Sequence, residues 1–129
     1  MNKIRRGDDK GFIPLDNELH DNIKSINLAG RVLDNLKLIA YNDFLSESVK
    51  SGAKVFVVIS PYYDNFNGTQ KVLGIIYQTA HKYNVDVMNF SQNKYFLEHR
   101  EYFQDEKHLN RKGASVFSEM LSGKIKPNI

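Results

Sequence analysis

A chain of 129 residues with 41% hydrophobic content has material for one buried core, and this composition excludes the low-complexity and disordered classes. The net charge of +3 comes from interspersed charges of both signs; without a basic stripe and interleaved aromatics, nucleic acid is not an expected partner. The absence of cysteine excludes disulfides, zinc-finger modules and a thiol nucleophile, and leaves the compartment open.

In chain order, residues 1–25 read as an irregular, polar segment with one short extended candidate at Phe12 to Leu15. The opening "MNKIRRGDDKGF" has basic residues but no apolar run behind them, so it does not read as a signal peptide. No apolar run approaches the ~18 residues of a membrane span. A helix is predicted over Leu33 to Ser51. Leu33, Leu36, Ile39, Ala40 and Phe44 form its inward face, Leu38, Tyr41, Leu45 and Val49 widen it, and Gly52 ends it.

"KVFVVIS", Lys54 to Ser60, is a β-branched run without alternation, as expected of a parallel strand buried on both faces. The loop "PYYDNFNG" follows. A second helix spans Thr69 to Tyr83, with Val72, Leu73, Ile75, Ile76 and Ala80 inward. "NVDVMNF", Asn84 to Phe90, reads as a second strand. Ser91 to Gln104 form a loop or short helix. The last helix starts near Arg111 with Asn110 as N-cap, and buries Ala114, Phe117, Met120 and Leu121.

This order predicts an α/β fold: one domain over residues 1–129, a three-layer α/β/α sandwich with a short, mostly parallel, flavodoxin-like sheet. Two strands make an undersized parallel sheet, so the domain reads as incomplete. Its unpaired edge would suit a homo-oligomer or a binding partner.

Chemistry points to the stretch "FQDEKHLNRKGASVFSEML". Asp105 and His108, three residues apart before a helix, can work as a pair. The carboxylate fixes the imidazole tautomer, and the ring accepts a proton. They can equally be a loop acid and a surface histidine. Tyr62, Tyr63 and Asn65 are candidate substrate-binding residues in the aromatic loop, where the rings could instead cover an apolar edge. Ser60 and Ser91, at strand ends, are weaker candidates for a nucleophile. His20, His81, His99 and His108 show no metal-ligand spacing, so no metal is expected. Without a phosphate-cradling glycine loop, no nucleotide or other cofactor is expected either.

The extended string, aromatic-x-D-x-x-H-L-N-x-x-G-A-x-x-F, resembles the last block of the SGNH, or GDSL-like, hydrolases. The resemblance covers about two-thirds of the chain, roughly residues 36–121, and only the final block is specific. It implies that Asp105 orients His108, His108 is the general base, Leu109 packs, Asn110 caps and Gly113 permits close packing. The implied activity is ester hydrolysis or O-acyl transfer on an acylated carbohydrate or lipid.

The sequence departs from that family at its nucleophile. It has no Gly-Asp-Ser; Gly7-Asp8-Asp9 carries an acid in the serine's place. Ala40-Tyr41-Asn42-Asp43 only approximates the family's Gly-x-Asn-Asp block, and reads more simply as the solvated side of a helix. The isolated chain is therefore expected to be a weak or inactive esterase. The alternative is a non-catalytic binding or assembly domain that pairs through its sheet edge.

Overall fold

The computed structural model describes residues 15–20, 27, 30, 32–63 and 68–128. Phe12 to Pro14, Gly7-Asp8-Asp9 and Asn65 lie outside the described residues.

The first helix, α1, runs Asn35–Lys50. Asp34 starts it: Oδ1 accepts from the Leu36 and Lys37 amides at 3.0 and 3.4 Å, using two donors that have no partner inside the helix. The helix ends where predicted. Gly52 takes φ +80°, the Gly52 amide donates to Val49 O, and the Ala53 amide to Ser48 O. Those two bonds are a Schellman motif.

Strand β1, Phe56–Ile59, follows, then α2, Gln70–Lys82, and strand β2, Asp86–Asn89. Helix α2 ends the same way as α1, with Asn84 in the left-handed region at φ 54° and Val85 N donating to Ala80 O at 3.0 Å. β1 and β2 pair in parallel, with Val57 opposite Val87 and Val58 opposite Met88. A short helix α3, Lys94–Leu97, a 3-10 turn at Arg100–Tyr102 and the last helix α4, Arg111–Ile125, complete the path. The result is a mixed α/β chain with two parallel strands and four helices among the described residues.

The contacts divide into two compact units. One holds Ile23–Ser60 and Asp64–Ser91, within the described residues. Its core is Leu45, Ala80 and Val85, with Tyr41, Val55, Val57, Tyr83 and Val87 against it. Leu45 and Tyr41 come from α1, Ala80 from α2, and Val57 and Val87 form one face of the sheet. Both helices thus cover the same sheet face, and this unit taken by itself has two layers. Tyr41 Oη donates to Ile76 O at 3.2 Å across the two helices.

The packing corrects the predicted face of α1. Tyr41 and Leu45 point to the core, whereas Leu36, Ile39, Ala40 and Phe44 are exposed. The helix is apolar around more than half its circumference. Periodicity alone could not choose between the two sides, and α2 with the sheet selects the Tyr41/Leu45 side. Val72, expected inward on α2, is also exposed. The strand predicted to be buried on both faces is half-buried at all four positions.

The other unit contains Pro61–Tyr63 and Gln92–Ile129, together with the described part of Met1–Asn22. Its core is aromatic. Phe96 and Phe103 are fully buried; Phe96 meets Phe117 edge-on at 5.8 Å, and Phe103 meets Tyr63 at 5.3 Å. Ala114, Phe117, Met120 and Leu121 of α4 are half-buried rather than fully covered. The closest approach is at Gly113, where a Cβ would strike the Tyr102 carbonyl oxygen and its Cβ.

Candidate functional site

Asp105 and His108 sit in a tight loop inside the second unit. Phe103 and Leu109 form an isolated antiparallel bridge, and Gln104 N donates to His108 O at 2.8 Å. Within this closed loop, Asp105 Oδ1 accepts from the Lys107 and His108 amides at 2.8 and 2.9 Å. That is an Asx turn, and it folds the histidine back over its own acid.

The side chains then meet. His108 Nδ1 lies 2.9 Å from both Asp105 carboxylate oxygens. A carboxylate only accepts, so Nδ1 carries a proton, and in the neutral form of the ring the Nε2 lone pair is free. Among the described residues nothing hydrogen-bonds to Nε2. The imidazole is 63% and the carboxylate 43% exposed, so Nε2 can be reached from solvent. Burial pushes the Asp105 carboxyl up, but the Lys107 amide, the His108 ring and the His108 amide together outweigh it and hold the group below its ordinary value.

Three elements hold this loop. Asn110 is buried, with 3% exposure. Its Oδ1 caps α4 by accepting from Gly113 N at 3.1 Å. Its Nδ2 donates to Glu101 O at 2.7 Å and Asn17 O at 3.1 Å. The segment 15–20, read from sequence as irregular, is a strap along the loop and the start of α4. Leu19 N donates to Phe103 O, Arg111 N to Leu15 O, and Asn17 N to Gln104 Oε1. Arg100 Nε donates to Leu19 O, and Arg111 grips Asp16 with Nε and Nη2. The third element is Tyr63, whose amide donates to Glu106 O at 2.9 Å.

Of the predicted substrate-binding residues, Tyr63 is therefore tied to the dyad loop. Its ring is half-buried, with the Phe103 edge on it and the Arg100 guanidinium 5.9 Å from its centroid. Tyr62 precedes it, half-buried. Ser91 is buried, at 2% exposure, which argues against the nucleophile role considered for it; Ser60 is exposed and belongs to the other unit. Asn42, read from sequence as part of the solvated side of α1, is half-buried: its Oδ1 accepts from Tyr83 Oη at 2.8 Å and Lys82 Nζ at 3.2 Å, linking α1 to the end of α2.

His99 was not singled out by its spacing. Its ring packs against Tyr95 and Tyr102, at 4.5 and 5.0 Å, the two tyrosine rings meet each other at 6.1 Å, and Nδ1 donates to Tyr95 O at 2.7 Å. The signal was Y-x-x-x-H-x-x-Y, which is legible only once the turn after α3 is known. Among the described residues no three His, Asp or Glu converge as a metal-binding group, and no helix is long and apolar enough to cross a membrane. A depression of about 130 Å³ beside Leu15, Asp16, Glu18, Asn110, Arg111 and Lys112 does not include the dyad in its lining.

Compared with protein-family models, curated proteins and solved structures, the chain matches none.

Proposed function

We propose that this chain carries the acid–base half of an SGNH-like acyl-transfer site, in a domain whose complete form is a three-layer sandwich. The observation that carries the reading is the Asp105–His108 pair, with Nδ1 held by the carboxylate and Nε2 open. In ester hydrolysis or O-acyl transfer, Nε2 would take a proton from an attacking hydroxyl and return it to the leaving oxygen. Asp105 would hold the tautomer and stabilise the imidazolium that forms. Tyr62 and Tyr63 would border the acyl or glycan part of the substrate. Among the described residues, no serine hydroxyl is hydrogen-bonded to Nε2, so these residues do not supply the nucleophile.

The test is hydrolysis of p-nitrophenyl acetate by the purified chain. The expected result is slow turnover without an acyl-enzyme burst, lowered at least tenfold in His108→Ala and unchanged in His81→Ala. Equal rates in the His108→Ala and parent proteins would contradict a working dyad. A burst followed by rapid turnover would contradict the missing nucleophile.

A second reading, a non-catalytic assembly domain that pairs through the sheet edge, draws support from the size of the sheet. Two parallel strands of four residues are well below the usual sheet, and an open edge is a pairing template. A solution mass equal to one chain at all concentrations would remove it.

A further inference from the structure

His108 differs from the other histidines in what holds its ring. Its Nδ1 sits 2.9 Å from both Asp105 oxygens, a group that can take a proton. His99 Nδ1 meets the Tyr95 carbonyl oxygen instead, which fixes a tautomer but does not take the proton. His20 and His81 are exposed and meet no carboxylate among the described residues. The His108 ring is also open, 63% exposed, so a carbonyl carbon can approach Nε2 along its lone pair.

We propose that His108 is itself a nucleophile, and that the chain transfers acyl groups from thioesters and aryl esters to water through an Nε2-acyl-imidazole. This rests on the Asp105–His108 reading and extends it. A general base needs a hydroxyl seated at Nε2, whereas direct attack needs only the acyl donor. The Nε2 lone pair forms a bond to the carbonyl carbon, and the C–S or C–O bond breaks, its electrons leaving with the thiolate or phenolate. The Nδ1 proton passes to Asp105, which leaves a neutral acyl-imidazole. Asp105 then returns it, and the ring becomes a better leaving group. Water adds to the carbonyl, the C–N bond breaks, and the acid departs. The proton lost by water goes to solvent, and Nδ1 keeps its own. Deacylation through the protonated ring outpaces acylation, so an acetyl group does not accumulate.

The leaving group sets the substrate class. A tetrahedral adduct collapses by expelling its less basic substituent. A thiol of pKa about 8.5 or a phenol of about 10 leaves in competition with the ring. An alkoxide is far more basic, so the adduct of an alkyl ester falls back to the starting ester.

Diethyl pyrocarbonate, an activated acyl donor whose ethoxycarbonyl group stays on the ring, isolates the first step. With the purified chain at neutral pH, peptide mass spectrometry should find His108 acylated at least fivefold faster than His20 or His81. In Asp105→Asn the rate should fall to that of His81. The turn survives this change, because an asparagine Oδ1 accepts the same amides. For the whole cycle, hydrolysis of p-nitrophenyl acetate and S-phenyl thioacetate should require His108 and run nearly as fast in D2O as in H2O, with ethyl acetate untouched. A His108 that reacts no faster than His81, or that is indifferent to Asp105→Asn, overturns the inference. So does His108-dependent hydrolysis slowed twofold or more in D2O, which marks rate-limiting proton transfer and leaves the general-base reading standing. Equal hydrolysis by the parent and His108→Ala proteins removes that reading, and this inference with it.

Discussion

Asp105 does two jobs with one carboxylate. Oδ1 closes the Asx turn through the Lys107 and His108 amides, and both oxygens meet Nδ1 of His108. The turn-residue and chemical readings of the D-x-x-H spacing are therefore compatible, because the turn is what carries the ring to the acid. The net effect of these bonds is a carboxyl held below its ordinary value despite partial burial. A carboxyl whose folded pKa is depressed adds stability above its unfolded pKa of about 3.9 and loses that contribution as pH falls through the lower folded value. The Lys107 and His108 amide resonances should accordingly shift together, with a midpoint below about 3.9, in an acid titration followed by NMR. Asn110→Ala removes a helix cap and leaves the Glu101 and Asn17 carbonyls short of a donor; it should cost about 2–3 kcal/mol by urea unfolding. Gly113→Ala drives a methyl into the Tyr102 backbone and should cost roughly 1–3 kcal/mol in the same assay.

Among the elements, sequence reading does well where a local device decides the outcome. Gly52 ends α1, Asn110 starts α4, and the two β-branched runs pair as parallel strands. It fails where a tertiary partner decides. The side of α1 that becomes core depends on the Ala80 helix and on the Val57/Val87 face, neither of which is encoded in α1. The strap at 15–20 has no periodicity to detect, because backbone and side-chain bonds to residues 100, 103, 104, 110 and 111 hold it. The Asp105–His108 pair was legible because its partners are three residues apart, whereas the buried bonds of Asn110 to Asn17 and Glu101 were not. Asn84 is the element-scale test. It sits at φ 54°, where a residue other than Gly, Asn or Asp costs about 1–2 kcal/mol. Asn84→Ala should lower stability by about 1 kcal/mol, and Asn84→Gly should leave it equal or higher, in parallel thermal melts.

For the whole molecule, the functional reading rests on one unit. The dyad loop, its strap, α3 and α4 surround Phe96 and Phe103. Phe96→Ala should cost about 3–5 kcal/mol and abolish hydrogen-exchange protection in α3 and α4. The central claim is that His108 is held with its proton on Nδ1 and a free lone pair on Nε2. The most direct measurement is the ¹⁵N spectrum of the imidazoles at neutral pH. The predicted result is a protonated Nδ1 and an unprotonated Nε2 for His108, a pattern lost in Asp105→Asn and absent from His81. A His108 ring that averages freely between tautomers, or that carries its proton on Nε2, would contradict the account.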